Sequence, residues 1–293
     1  MSKKIIFKDQ SLQELYLQQG YVVLPILSKE KIEEMLDLHQ STHPSIEDLP
    51  NCYNTSDHVP SLETKRKVKN EISKALEPLF NNYLNGFKPI YVNFIGKKKG
   101  EKSNRDLHQD YSFCNELECD GYNIWIPLQD ITEHNSYFSI VRNSYRFFHS
   151  FRGRQIHHRF EDISDKIMEK FCTNIYPKAG HALIYNTASI HFTPNSTSND
   201  IRIAISAMTI PEEANINLYQ TWKDTTDQLE RFEVDDEFLL EYPAWKKIED
   251  IESKEIFSYD NSQLDWKAFE NAYYLYNTDV KRPSFWKKLL RME

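Results

Sequence analysis

Gly180-His-Ala-Leu-Ile-Tyr-Asn-Thr-Ala-Ser-Ile-His191-Phe-Thr-Pro-Asn-Ser-Thr-Ser-Asn-Asp-Ile-Arg202-Ile-Ala-Ile205 reads as a strand, a turn, a histidine, a polar loop and an arginine that opens another strand. His181–Tyr185 and Arg202–Met208 are short apolar runs, and the Pro/Asn/Ser/Thr stretch between them is turn chemistry. Working outward, runs of the same kind occur at Pro89–Ile95, Asn123–Leu128 and Tyr137–Val141. Several short strands with polar turns between them predict a mainly β fold, a sandwich or jelly roll. Helices lead these strands. One covers Ser11–Tyr16, followed by a turn at Gly20 and a strand over Tyr21–Pro25. A second opens at Ser28 with Ile32, Met35 and Leu36 on one face, and a third spans Thr64–Leu84 with Val68, Ile72, Leu76 and Phe80 spaced by four. Residues 41–60 read as a loop. Helices that precede strands, rather than alternate with them, argue against a doubly wound parallel sheet.

The chemistry-bearing residues sit in and near these runs. In Leu107-His-Gln-Asp110 the histidine and aspartate stand two apart, and on a strand they would share a face. A third ligand from a distant strand would complete a facial set, and His191 is available. Two histidines and one carboxylate with open positions suit Fe(II) and oxygen chemistry. Arg202 follows His191 by 11 residues. On an antiparallel hairpin that spacing would bring both side chains into one cavity. A buried arginine needs a partner, and a bidentate carboxylate is the natural one. The distal carboxylate of 2-oxoglutarate would supply it.

With these residues in place, the chain resembles the phytanoyl-CoA dioxygenase-like oxygenases over about residues 12–210. Leu15-Tyr-Leu-Gln-Gln-Gly-Tyr-Val-Val-Leu-Pro-Ile-Leu-Ser-Lys-Glu-Lys-Ile32 looks like the family's opening helix, "GYVVL" strand and next helix. Leu107–Asp110 is similar to its proximal iron motif. Trp125-Ile-Pro-Leu-Gln-Asp-Ile-Thr-Glu-His-Asn135 is similar to its "W-x-x-L-D-D-x-T-x-E-N-G" segment, and His191, Thr193 and Arg202 match its "H-x-S…R" pattern. The resemblance implies a double-stranded β-helix (jelly roll, cupin-like) with flanking helices. It implies iron bound by His108, Asp110 and His191, and 2-oxoglutarate gripped by Arg202 and Thr193 with Trp125 lining its pocket. Asn93 and Tyr91, on one face of the preceding strand, are further candidates for cosubstrate contact. The implied reaction uses O2 and hydroxylates an unactivated C–H bond, releasing succinate and CO2. Related halogenases carry a small residue where Asp110 stands, which favours hydroxylation here.

The chain also departs from the family. His181 replaces an aspartate after Gly180 and reads as a turn residue rather than an extra ligand. Arg142-Asn-Ser-Tyr-Arg146 replaces a "P-G-S-H-R" loop that often faces substrate, so no acyl-CoA specificity is inherited. Arg105, Arg142 and Arg146 flank the motif strands and are candidates for an anionic group on the substrate. His157 and His158 read as a solvated pair, and His134 and His149 show no paired ligand.

Composition bounds the rest. The chain has 293 residues, 40% hydrophobic and 13% aromatic, enough for a sizeable globular core. Only 7 glycines occur and no glycine-rich phosphate loop. Cys52, Cys114, Cys119 and Cys172 are too scattered for a disulfide framework and read as free thiols. No run approaches a membrane span and no signal-peptide core is present, so a cytoplasmic protein without membrane contact is expected. Neither half carries the basic stripe of a nucleic-acid binder. Residues 212–293 hold 11 Lys/Arg and 19 Asp/Glu, and so carry the whole net charge of −8. This segment keeps many aromatic residues, as a packed extension does. Two parts are therefore expected: an oxygenase domain over 1–211 and an acidic aromatic extension over 212–293. Lys281–Glu293 reads as a short amphipathic helix. The substrate would be a small molecule, an amino acid, or a peptide- or carrier-bound group, and the protein a monomer or homodimer. The competing reading is a non-catalytic jelly-roll binding module whose metal site is structural or vestigial.

Overall fold

Polar caps set where the leading helices begin. Asp9 accepts from the backbone of Leu12 and opens α1 (Gln10–Gln19); Ser28 does the same for α2 (Lys29–Thr42), and Ser61 for α3 (Leu62–Asn82). Gly20 ends α1 with φ of 82°, a left-handed conformation that glycine adopts without steric cost. The computed structural model describes residues 4–45, 51–242 and 246–280. Strands β1 (Tyr21–Pro25) and β2 (Tyr53–Thr55) lie among these helices, the second inside the stretch expected to be loop. After α3 come β3 (Phe87–Lys97), β4 (Arg105–His108), β5 (Tyr122–Pro127) and β6 (Phe138–Val141). Helices α4 (Ser144–Phe147) and α5 (Ser164–Phe171) lead into β7 (Cys172–Ile175), β8 (His181–Asn186), β9 (His191–Thr193) and β10 (Arg202–Pro211).

The strands form two antiparallel sheets, one ordered β1-β8-β5-β10-β3-β2 and one ordered β4-β9-β6-β7. This is the mainly β jelly roll with flanking helices that the sequence predicts. Alternation along each strand explains the layering. Ile124, Ile126, Ala182, Ile184, Ile205 and Ala207 turn outward and pack under Val68, Ile72, Leu76 and Leu79 of α3. Each of those α3 side chains contributes roughly 1.5–3 kcal/mol by leaving water. Trp125, Leu183, Tyr185 and Ala204 turn inward against Phe138, Ile140 and Ile175 of the smaller sheet. The space between the sheets therefore receives the odd-numbered residues of β5 and β8.

β10 runs on into the C-terminal part. There β11 (Ile216–Thr221), β12 (Gln228–Val234) and β13 (Glu255–Ser258) form a three-stranded sheet, with α6 (Asp236–Glu241) between β12 and β13 and α7 (Trp266–Tyr276) last. Ile216, Leu218, Phe232, Leu239 and Ile248 share one apolar cluster with Ile90, Phe113, Met208 and Ile210. Phe269 and Tyr273 of α7 share another with Val141, Phe160 and Phe171. Some of the acidity meets bases of α3, with Asp236 2.8 Å from Lys69 and Glu237 paired with Arg66. The helix expected over Lys281–Glu293 lies outside the described residues. Among the described residues no helix is long and apolar enough to cross a membrane.

Candidate active site

The strand register brings the two histidines together. His108 ends β4 directly opposite His191 of β9, with ring centroids 4.2 Å apart. Each ring donates its Nδ1–H to a backbone carbonyl, His108 to Asp106 at 2.6 Å and His191 to Ser189 at 2.9 Å. A carbonyl only accepts, so Nδ1 carries the hydrogen and Nε2 keeps its lone pair. Both Nε2 atoms face Asp110 Oδ1, at 3.9 Å from His108 and 3.7 Å from His191. The three donors lie within 4.8 Å of one another. Burial holds both imidazoles below their ordinary pKa, aided at His108 by the neighbouring His191 and Arg105. They are thus neutral and available as ligands near pH 7.

Asp110 is not on a strand, contrary to the expectation that it shares a β face with His108. β4 stops at His108, and Asp110 lies in the following loop. Its position comes from elsewhere. The backbone N–H of Asp110 donates to Thr187 O at 3.0 Å, and its carbonyl accepts from Arg152 Nε at 3.0 Å. Arg152 is buried and paired through both terminal nitrogens with Glu116. The carboxylate is oriented by Tyr185 Oη, 3.0 Å from Oδ2, and Asn123 Nδ2, 3.1 Å from the same oxygen. Ser206 Oγ in turn donates to Asn123 Oδ1 at 3.1 Å. Oδ2 is thereby occupied, and Oδ1 is left for the histidine side. Sequence reasoning did not find Tyr185, Asn123 or Arg152. The alternation of β5 and β8 held a signal for the first two, since Asn123 and Tyr185 are direct register partners two residues from inward-facing neighbours.

Arg202 and His191 line one cavity, but not as a hairpin. β9 pairs with β4 and β6, whereas β10 pairs with β3 and β5, so the two residues face each other from different sheets. The cavity has a volume of about 500 Å3, and its walls include His108, Asp110, His191, Arg202, Thr193, Trp125, Asn93, Tyr91 and Arg105. Arg202 is 1% exposed and its guanidinium stands 5.1 Å over the Trp125 ring. One of its terminal nitrogens donates to Ser136 O at 2.8 Å, and its Nε has no partner. Among the described residues no carboxylate pairs with it. Burial lowers even this guanidinium to about 10. Asn93 Oδ1 is likewise buried without a partner, while the Tyr91 hydroxyl is committed to Asp57. An unpaired buried guanidinium close to a neutral two-histidine, one-carboxylate set fits iron with a dicarboxylate cosubstrate.

Other expectations change. Arg142 and Arg146 do not reach the cavity. Arg142 pairs with Asp279 at 2.9 Å and donates to Gln18 O, and Arg146 lies 5.1 Å over the Tyr276 ring. The loop they occupy joins the N-terminal helix to the C-terminal part, and neither side chain is part of the cavity wall. Arg105 lies at the cavity wall, exposed, over the Tyr53 ring. His157 is solvated beside Glu161, but His158 lines the cavity with its ring centroid 6.4 Å from that of His108. Burial lowers His158 to about 4. His181 bonds within its own turn, Nδ1 to Ala179 O at 3.2 Å. His134 and His149 are exposed and do not line the cavity.

Geometry and pattern together define a jelly-roll oxygenase dependent on iron and 2-oxoglutarate. The profile of the phytanoyl-CoA dioxygenase (PhyH) family matches residues 16–204, and the chain belongs to that family. Solved structures share the fold at low identity. The epimerase SnoN, in complex with Fe3+, α-ketoglutarate and nogalamycin RO, is 16% identical with a TM-score of 0.52, over 71% of this chain and 85% of that one. HygX from Streptomyces hygroscopicus, with nickel, 2-oxoglutarate and hygromycin B bound, is 14% identical with a TM-score of 0.50, over 70% and 88%. EvdO2 from Micromonospora carbonacea var. aurantiaca, complexed with 2-oxoglutarate, is 11% identical with a TM-score of 0.50, over 72% and 94%. No curated protein matches by sequence.

Proposed function

We propose that this chain hydroxylates an unactivated C–H bond of a small molecule, or of an amino-acid, peptide or carrier-bound group, with release of succinate and CO2. The observation that carries the reading is the pairing, in one cavity, of the three converging donors with a buried arginine that lacks a carboxylate. His108 Nε2, Asp110 Oδ1 and His191 Nε2 would hold iron. Arg202 and Thr193 would hold the distal carboxylate of 2-oxoglutarate. Iron with 2-oxoglutarate supplies the oxidising power for C–H oxidation.

This chain's residues do the rest. Nδ1–H bonds to backbone carbonyls keep both imidazoles oriented, and burial keeps them neutral. Tyr185 and Asn123 keep the carboxylate from turning. Trp125 and Phe138, whose ring stacks on His191 at 5.0 Å, exclude water from the inner wall. Arg105 at the exposed wall would meet an anionic group on the substrate. The presence of Asp110 favours hydroxylation, because the third protein ligand position is filled.

The test is succinate release from 2-oxoglutarate by Fe(II)-loaded protein, coupled to a search for products heavier by one oxygen among amino acids, short peptides and glycosides. His108→Ala is expected to abolish both metal uptake and succinate. A wild-type protein that loads no divalent metal under anaerobic conditions would instead support the non-catalytic binding module. Substrate-dependent succinate without a mass gain would move the reaction from hydroxylation to a stereochemical or ring-forming outcome.

A further inference from the structure

Lys97 is fully buried on β3, opposite Arg202 of β10 and Tyr53 of β2 in the strand register. Among the described residues it has no carboxylate partner. Its Nζ lies 2.9 Å from Ser136 Oγ, 2.5 Å from Thr193 Oγ1 and 3.3 Å from Pro194 O. Ser136 has a positive φ of 72°, and stands where the family pattern places glycine. Its hydroxyl thus reaches both Lys97 and Pro194.

Counting hydrogens decides what Lys97 does there. The Ser136 hydroxyl gives its one hydrogen to Pro194 O, at 2.5 Å, so Ser136 can only accept from Lys97. The Pro194 carbonyl can only accept as well. Two hydrogens of Nζ are spent on these partners. The third contact, to Thr193, runs in either direction. An ammonium donates its third hydrogen to Thr193, whose own hydrogen is then free to point into the cavity. A neutral amine has a lone pair instead, and takes the Thr193 hydrogen for itself.

The surroundings select between these states. The charged or titratable groups facing Nζ are Arg202 from β10, Arg105 from β4 and the Tyr53 ring of β2, 5.8 Å away; β9 and the turn before β6 present only neutral hydroxyl and carbonyl groups. Burial beside two guanidiniums holds the amine far below its ordinary value, at about 5. Without a ligand, then, Lys97 is neutral at pH 7 and Thr193 is turned toward it. A carboxylate arriving at Arg202 reverses the local charge and favours the ammonium.

We infer that binding of 2-oxoglutarate draws one proton from solvent onto Lys97 Nζ, which releases the Thr193 hydroxyl to donate to the cosubstrate's distal carboxylate. The step forms one N–H bond, and its proton comes from water or buffer; no other covalent bond changes. Lys97 is a positioning residue that acts through Thr193. The inference rests on the proposed seat of the distal carboxylate at Arg202.

The experiment is calorimetric titration of Mn(II)-loaded protein with 2-oxoglutarate in buffers of differing ionisation enthalpy. Prior metal loading removes proton release by the histidines from the count. Wild-type protein is expected to take up close to one proton per molecule bound. Its affinity is expected to weaken up to about tenfold per pH unit between about pH 6 and pH 8, inside the window bounded by the free and bound pKa values. In Lys97→Met both the uptake and the pH dependence disappear. Wild-type binding without proton exchange overturns the inference, and so does uptake that persists in Lys97→Met. The wild-type measurement stands even if that variant does not fold. If Arg202→Met binds 2-oxoglutarate as tightly as wild type, the seat of the carboxylate is wrong, a different failure from absent proton uptake.

Discussion

Tyr185 holds one oxygen of Asp110 and so decides which oxygen is left to face the histidines. Its hydroxyl is 3.0 Å from Oδ2 and also 3.4 Å from His191 Nε2. Burial and the adjacent Asp110 raise its pKa well above the ordinary value, so it stays a donor. Tyr185→Phe removes that donor and leaves Asn123 alone on Oδ2. Loss of an outer partner of this kind weakens metal binding by about 10- to 100-fold. Titration with Fe(II) or Mn(II) checks it, and unchanged affinity would mean that Asn123 suffices.

Arg202 carries a stability cost in the ligand-free protein and a benefit in the bound one. Arg202→Met is expected to weaken 2-oxoglutarate binding by about 2–5 kcal/mol, the range for truncating one partner of a buried charge pair. The same variant is expected to melt no lower than wild type without ligand, because it removes an unpaired buried charge. Thermal melts with and without 2-oxoglutarate measure both effects. A variant that melts well below wild type in the absence of ligand would contradict the second.

Glu116 and Arg152 fix the loop that carries Asp110. Glu116→Gln leaves a guanidinium that is 2% exposed without its counter-charge. Breaking a buried pair from one side costs about 3–5 kcal/mol. Denaturant unfolding should show that loss together with weaker metal binding, although Glu116 touches no ligand atom. Loss of stability with metal affinity intact would separate the loop from the centre.

Two histidines outside the site make stability depend on pH. His39 and His43 stack with centroids 4.5 Å apart against Phe94, and burial lowers each from 6.5 to about 4. Below pH 6.5 the unfolded chain takes up protons that the folded chain refuses, so stability falls between 6.5 and about 4 and is retained above that range. His39, only 7% exposed, contributes at most about 3 kcal/mol to this loss. Melting of the metal-free protein should drop from pH 7 to pH 5, and the drop should be shallower in His39→Gln.

Helix α7 of the C-terminal part shares an apolar cluster with Val141, Phe160 and Phe171. Phe269 of α7 is 1% exposed against Phe171 and Phe147. Phe269→Ala should cost about 3–5 kcal/mol. Deletion of residues 212–293 should give insoluble protein rather than a soluble active core, which expression and solubility would show.

The sequence made the strands and the two ends of the site legible for physical reasons. β-branched runs such as Arg202–Met208 reveal strands locally, and a histidine followed by an arginine across a polar stretch points to one cavity, which both residues line. The rest depended on contacts between distant residues. The Asp110 loop is held by Arg152, 42 residues away, and no local pattern signals that bond. Lys97 opens a run of three lysines, where composition points to solvent, yet its side chain is wholly buried. Arg142 and Arg146 sit where the family's loop faces substrate, but α1 and the C-terminal residues attract them away. His158, unlike its exposed neighbour His157, faces the cavity with its ring stacked on Phe160, 5.2 Å away, a contact no local pattern signals.

β10 passes from Arg202, through Ser206, to Met208 and Ile210, where the C-terminal sheet packs. Ser206 and Met208 line the same cavity as the arginine. At about 3.3 Å per residue, roughly 20 Å of one strand separate Arg202 from Met208. That distance separates two walls of the cavity. Substitutions around Met208, and in the sheet that backs it, reshape the far wall while the arginine end keeps its register. The two ends of the cavity are thus carried by one strand but backed by different layers of the protein.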